Sequence, residues 1–495
     1  MTKNEIGKSH SQADAQRRVG KNFVVRIIGR IISICISIIT MAMLGRYLGE
    51  IGYGEYAFWY SLIFTLQMFG DLGLQVIIVR EIAKHRNQIS LLFGDAIILK
   101  VSISALFFMI LLIISFALPK SQQIFFLIIG AASIVGASQD ISIWVFRGIE
   151  TMEYEAFLTI FSQILWISLI CFFISMGQGI ALFLSAQLIA SLARTFFGFL
   201  IVKSKGIKPE FSINTDRFRK VLSQSIPVGA AFIVAALYNL EAIFLLRIFA
   251  GPKDVASYSV GATITFGFLF IAVSLTTSAF PVFSQFSYSK REALPAFYSK
   301  VSKYLLTIAV PITITLIVLS DEVISLMFKK GFEDSIISLR MLSLGLAFGF
   351  MNRMYRFLFP AINRQVIYLR IEIFTAVLLL IVCLSVIPAY GFKGAILAFL
   401  CTELVKFLTS YLYIRRKISP LPFVEVFCKP ITAGLFMALV LFSGRGINLY
   451  VILFAGFIIY LLGLTILKIF SREEIEMMKQ TILMLSKKVG KRVRI

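Results

Sequence analysis

The sequence predicts an all-α polytopic membrane protein of about fourteen transmembrane helices: two six-helix bundles related as parallel repeats, plus two C-terminal helices. Two observations carry this. The 495 residues are 58% hydrophobic and only 15% charged, where a soluble protein has about a quarter of its residues charged. The apolar residues are also gathered into repeated runs of roughly 20 or more, the length that crosses a ~30 Å hydrocarbon layer. An open sheet would leave backbone groups unpaired in lipid, and a barrel would need short alternating segments. Neither pattern is present.

The helices are expected at 23–46, 53–79, 92–118, 124–147, 154–176, 179–202, 223–249, 256–286, 303–328, 336–361, 366–387, 392–414, 423–443 and 447–470. This divides the chain into a basic N-terminus (1–22), a first bundle (23–202), a basic linker (203–222), a second bundle (223–414), an accessory pair (423–470) and a basic tail (471–495). Residues 1–21 are polar and basic and lack a small-residue cleavage site, so no removable signal peptide is expected there.

The net charge of +23 could suggest nucleic acid, but its distribution argues otherwise. Most Lys and Arg fall in the tails and in loops on one side of the membrane. This asymmetry predicts a multi-pass protein of the cytoplasmic (inner) membrane with both termini in the cytoplasm. The basic loops at 203–220 (Lys203, Lys205, Lys208, Arg217, Arg219 and Lys220) and 290–303 then face anionic lipid headgroups. No nucleic-acid partner is required. Cys35, Cys171, Cys383, Cys401 and Cys428 all lie in apolar segments without CxxC spacing, which excludes a zinc or disulfide framework. No metal and no cofactor is expected.

The stretch GRYLGEIGYGEYAFWYSL (45–62) interrupts the first long apolar run. A phosphate-binding loop would follow a strand and carry a Lys-Ser/Thr pair, and neither is here. Gly49, Gly52 and Gly54 instead predict a tight outer turn between two spans, because Gly supplies positive φ. A second copy lies at the outer end of the first helix in the other half. Arg46 to Gly49 followed by Tyr56 is matched by Arg247 to Gly251 followed by Tyr258, with the same Gly-to-Tyr spacing. Parallel repeats of this kind are typical of transporters. The outer loops are too short to house a catalytic domain, which disfavours a glycosyltransferase or polymerase. The tail SREEIEMMKQTILMLSKKVGKRVRI pairs Ser471 with Glu474 at capping-box spacing. Its apolar residues recur at helical spacing, predicting an amphipathic helix on the cytoplasmic leaflet.

Charged residues inside spans are costly and usually face a cavity or a partner. Counted by helix rise from the cytoplasmic end, Arg30, Asp71, Asp140, Arg194, Arg353 and Arg356 lie about 7–13 Å deep. Lys100, Glu372, Lys406 and Glu403 share this inner half, whereas Glu241 and Arg247 lie towards the outside. The pattern predicts a cationic vestibule. Arg26 and Arg30 are spaced i, i+4 and Arg353 and Arg356 i, i+3. Paired guanidiniums suit a phosphate or pyrophosphate, since the planar fork donates two hydrogen bonds and stays charged. The candidate substrate-binding set is Arg26, Arg30, Arg147, Arg194, Arg353 and Arg356. Asp71, Asp140, Glu241 and Glu372 are candidates for charge pairing or for uptake of a coupling H⁺ or Na⁺, with Asp71 and Asp140 set against Arg30. Arg26 and Arg370 sit near enough to the surface to snorkel. Glu403 and Lys406 are expected to pair with each other.

Four segments carry a resemblance. LGRYLGEIGYGEYAFWYSLIFTLQMFGDLGLQVIIVREIAKHR (44–86) resembles the N-terminal signature of the polysaccharide transporter (Wzx-type flippase) family, within the superfamily that also holds multidrug exporters and lipid II flippases. FRGIETMEYEAF (146–157), YNLEAIFLLRIFAGPKDVASYSVGATI (238–264) and RMLSLGLAFGFMNRMYRFLFPAINRQ (340–365) resemble later parts of the same pattern, with Glu241 standing where Asp is expected. The resemblance implies two bundles around a central cationic cavity and alternating access. It also implies movement of a polyprenyl-pyrophosphate-linked oligosaccharide to the outer leaflet for surface polysaccharide assembly, without covalent chemistry. Its implied partners are the lipid-linked oligosaccharide, anionic lipids and polysaccharide polymerase or ligase machinery. A multidrug or organic-cation exporter and a lipid II flippase are the alternatives on the same fold. The basic balance of the buried charges disfavours the exporter.

Overall fold

A computed structural model describes residues 3–117, 119–328, 330–446, 448–470, 474 and 476. Within these, the side chains of residues 3–27, 121, 133, 134, 136–140, 231, 232 and 234–240 lie outside the description. Among the described residues every regular element is helical. In chain order these are α1 (Lys3–Gln67), α2 (Leu74–Lys84), α3 (Ile89–Phe116), α4 (Lys120–Gly148), α5 (Met152–Ser175), α6 (Ile180–Ser204), α7 (Thr215–Phe249) and α8 (Pro252–Gly267). They continue with α9 (Leu269–Ser289), α10 (Leu294–Val318), α11 (Ser320–Met327), α12 (Glu333–Leu344), α13 (Leu346–Ala361), α14 (Gln365–Lys417), α15 (Lys429–Ser443) and α16 (Leu449–Ile466).

The chain is a multi-pass membrane protein. Among the described residues nine helices are long and apolar enough to cross a bilayer, or ten when α12 and α13, bent by 46°, count as one span. That count does not reach fourteen separate crossings. One reason is that α1 and α14 each enter as a single helix although a glycine breaks each of them, Gly49 (φ 70°) and Gly391 (φ 55°). The apolar part of α1 alone runs for 40 residues, about 60 Å of helix, twice what one crossing needs. Gly49 is the residue that leaves helical geometry at the predicted turn, whereas Gly52 and Gly54 are helical.

The span expected at 53–79 is interrupted at 68–73, where Leu72 (φ 44°) and Gly73 (φ 74°) adopt left-handed conformations. The largely apolar run from Leu72 to Val79 conceals this break. It is held from outside: a Cβ on Gly73 would lie 2.6 Å from the Gly229 nitrogen, and one on Gly229 of α7 would lie 2.3 Å from the carbonyl carbon of Leu72. Two glycines therefore let the broken strand of chain seat directly on α7. Replacing Gly229 with Ala should cost about 1–3 kcal/mol through overpacking and lower the melting temperature in detergent. Gly179→Ala, with nothing within 4 Å, should leave it unchanged.

The chain divides into two compact units. The first comprises Met1–Thr263, Met327–Ser335 and Ala376–Ala398. Its core gathers Leu74, Ile78, Phe93, Trp144, Phe146 and Leu158. The segment joining α6 to α7 is fastened to the end of α3 in this unit. The Glu210 N–H donates to the Ser90 carbonyl at 2.9 Å, and a Cβ on Gly94 would lie 1.9 Å from the Glu210 oxygen. Arg217 donates two hydrogen bonds to the fully buried Asp95 and a third to the Ser212 carbonyl. Lys203, Lys205, Lys208, Arg219 and Lys220 remain exposed.

The second unit comprises Ile264–Leu326, Ile336–Thr375 and Phe399–Ile495. Tyr298, Phe350, Met354, Tyr355, Phe359 and Phe407 form its core. Here α15 and α16 pack on each other and on α10 through small residues, the usual route to close helix contact in lipid. A Cβ on Gly434 would meet Ile314 and Val310, and Gly463 faces Ala433. The Tyr460 hydroxyl donates to the Thr307 carbonyl at 2.8 Å. Most of the predicted amphipathic tail lies outside the described residues. Glu474 is described, and its carboxylate accepts from Lys303 Nζ (2.8 Å) and the Tyr304 hydroxyl (2.9 Å).

Candidate functional site

The charged residues of the apolar segments resolve into pairs and exceptions. In the first unit Asp71 does not neutralise Arg30: it accepts from Lys100 Nζ at 2.7 Å. Lys100 is only 2% exposed and lies 5.4 Å from the Trp144 ring centroid, a cation–π distance. The sequence ranks Lys100 only as one of several inner charges. A buried Lys facing the broken helix end that carries Asp71 is the partner it requires, since an unpaired buried charge is costly. Arg147 is engaged bidentately by Glu155 at 2.6 and 3.0 Å, and Arg194 donates to the Thr159 hydroxyl at 3.2 Å. Arg30 is exposed and makes no ion pair among the described residues. The side chains of Arg26 and Asp140 lie outside the description. The Asp95–Arg217 pair was not anticipated, although a carboxylate on an apolar helix next to a basic loop is a signal for one.

Glu241, on α7, is half-buried, and one of its carboxylate oxygens is enclosed without a hydrogen-bond partner among the described residues. Its unit thus holds two kinds of acid: Asp71 and Asp95, already committed to cations, and Glu241, which is not.

In the second unit a polar cluster forms where α13 meets the two arms of α14. Lys406 pairs with Glu372 at 2.6 Å rather than with its helix neighbour Glu403. Helical spacing made the 403/406 pair plausible, but Glu372 approaches from the preceding arm. Glu403 instead accepts from Asn352 Nδ2 at 2.7 Å. The charge of Arg356 lies close enough to act on Glu372, and Arg353 and Arg356 both lie close enough to act on Tyr368. Arg353 is partly buried, Arg356 is exposed, and neither forms an ion pair among the described residues. Glu372 is thus satisfied by Lys406, and the two guanidiniums beside Tyr368 are left free to donate. Arg356 lies near Glu372 and both arginines lie near Tyr368, while Tyr368 and Asn352 were missed.

On another face of α13, Phe348 and Met351 line a wholly apolar pocket of about 380 Å³ together with Leu306, Val310, Phe407 and Ile431. Among the described residues no group of His, Cys, Asp and Glu is arranged to hold a metal ion.

The sequence profile of the polysaccharide biosynthesis protein family matches residues 19–287, more than half of the chain. The chain belongs to this family. No curated protein sequence matches it. Solved structures do. The lipid II flippase MurJ in an inward closed conformation is similar at 17% identity and a TM-score of 0.72, over 90% of this chain and 97% of that one. A multidrug resistance MATE family transporter of the MOP superfamily, in an inward-facing conformation, is similar at 17% identity and a TM-score of 0.64, over 80% and 98%. A MOP superfamily transporter from Pyrococcus furiosus gives 17% identity and a TM-score of 0.55, over 81% and 96%. This member of the polysaccharide biosynthesis family therefore has an all-helical fold shared with known transporters.

Proposed function

We propose that this protein moves a polyprenyl-pyrophosphate-linked oligosaccharide from the cytoplasmic to the outer leaflet of the cytoplasmic membrane, supplying surface polysaccharide assembly. The observation that carries this is the pair of uncommitted guanidiniums, Arg353 and Arg356, both beside Tyr368, with Arg356 near a carboxylate already satisfied by Lys406. A diphosphate offers several charged acceptor oxygens to such a pair. The apolar pocket between α10, α13, α14 and α15 supports the same reading, because it offers hydrocarbon a place in the unit that holds the cations. Arg30 is the corresponding uncommitted cation of the first unit. Arg147 and Arg194 serve less directly, as both already have partners. An organic-cation exporter would want the opposite balance of free charge.

The transport cycle in this reading is alternating access, with both termini cytoplasmic. Glu241 is the acid best suited to take up a coupling H⁺ or Na⁺, since Asp71 and Glu372 are held by lysines. The downstream partners are polymerase or ligase machinery that consumes the flipped lipid-linked glycan.

The test is the lipid-linked glycan profile of membranes from cells lacking the protein. Accumulation of polyprenyl-pyrophosphate oligosaccharide in the inner leaflet, with loss of surface polysaccharide, is expected. Accumulation of a peptidoglycan precursor instead would reassign the substrate to lipid II. An unchanged profile with new sensitivity to cationic drugs would overturn the proposal in favour of an exporter.

A further inference from the structure

The duplicated turn has a use that charge counting does not reveal: its two copies meet. Gly49 (φ 70°) and Gly251 (φ 94°) both take a positive φ, and Tyr56 and Tyr258, at the same place in each copy, are both buried. Counted from those glycines, Gly54 and Ala256 are equivalent positions. A Cβ on Gly54 would lie 1.8 Å from the Pro252 oxygen and 3.2 Å from the Ala256 nitrogen. Only glycine permits this approach. Around it the copies exchange polar contacts. Arg247 pairs with Glu55 at 2.6 Å. The Ser257 hydroxyl donates to Glu50 at 3.1 Å, and Lys253 lies 3.8 Å from the same carboxylate. Contact between equivalent positions, flanked by contacts in both directions, is how two copies of one surface meet about a local two-fold axis.

Further turns at this end of the first unit join the contact. Lys253 also pairs with Asp334 at 2.9 Å, Asp254 accepts from the Phe392 N–H at 2.7 Å, and Arg46 donates to the Met327 carbonyl at 2.7 Å. The ion pairs are partly exposed. Such pairs are weak enough to exchange for water, which suits a contact that must break and re-form. The glycine surface beneath them sets the register without holding it permanently.

We infer that the two copies of the Arg–Gly–Tyr turn form a latch that closes the outer end of the chain and opens by parting at Gly54 when substrate is released. The inference rests on the transport reading above, and its test does not need the glycan. Ser61 lies seven residues beyond Gly54, two helical turns inward on the same face of α1. In a background with the five native cysteines replaced, Ser61→Cys is labelled with a membrane-impermeant maleimide in right-side-out and inverted vesicles.

Glu55→Gln or Arg247→Gln is expected to raise labelling from the outer side roughly two- to five-fold, the loss of one exposed pair. The exchange Glu55→Arg with Arg247→Glu should return it to the parent rate. A Glu55→Cys/Arg247→Cys pair, oxidised, should suppress outer labelling of Ser61→Cys reversibly, and reductant should restore it. Unchanged labelling in both single variants, or labelling that persists after the disulfide has formed, would overturn the latch. If the latch responds as expected while the glycan profile of null cells is normal, the substrate reading fails and the latch stands.

Discussion

Cells carrying Arg353→Ala/Arg356→Ala are expected to insert the protein normally and to lose nearly all lipid-linked glycan translocation. Hydrogen bonds to a charged group contribute about 1.5–3 kcal/mol each. Removing one from each guanidinium therefore withdraws roughly 3–6 kcal/mol, or about 10²–10⁴-fold at 1.4 kcal/mol per decade. Lys at both positions keeps the charge but not the planar fork, so the double Lys variant should fall between the two. The readout is inner-leaflet glycan accumulation, normalised to protein in the membrane fraction. Because neither arginine holds up a buried partner, the melting temperature should be nearly unchanged. Normal export in the double Ala variant would remove these residues from the substrate site.

Asp71 and Lys100 should behave in the opposite way. Lys100 is 2% exposed and Asp71 17%, so Asp71→Ala strands an ammonium in a low-dielectric interior. Breaking a buried pair by removing one partner costs about 3–5 kcal/mol, enough to depress the melting temperature severely or deplete the protein from the membrane. Lys100→Met leaves the more exposed partner behind and should cost less. The double variant Asp71→Asn/Lys100→Met should recover most of the loss, since an apolar replacement of a buried pair is often neutral. A double-mutant cycle on detergent melting curves measures the coupling. If Asp71→Asn instead left melting untouched and abolished transport, Asp71 would be a coupling site rather than half of a structural pair.

These two cases show what the sequence could and could not tell. The all-helical membrane class followed from the length and apolarity of the runs, because a bilayer leaves the backbone few alternatives. The turn at Gly49 was legible for the same reason, since charge and glycine together interrupt an apolar run. The break at Leu72–Gly73 was not, because its cause is Gly229, far along the chain, and a one-dimensional apolar pattern carries no trace of a distant contact. Depth within the helices placed Arg353, Arg356 and Glu372 in the same inner half but could not say which of them meet. Partner choice escaped: Lys406 had a suitable acid three residues away and one on another helix arm, and only packing decides between them. Arg147 illustrates the same limit, since its partner Glu155 sits beyond a helix end whose geometry the sequence does not specify.

The longest polar loop of the chain, between α6 and α7, looks like a hinge and is built as a clasp. It is fastened at Ser90 by Glu210, at the buried Asp95 by Arg217, and against Gly94 with no room for a side chain. A joint so tied has no slack to pay out, so α3, α6 and the start of α7 must travel as one body. Compliance has to come from inside the helices, at a glycine-broken site with open space around it such as Gly49. The wear points of this machine would then be its spans, and its connectors would be the rigid parts.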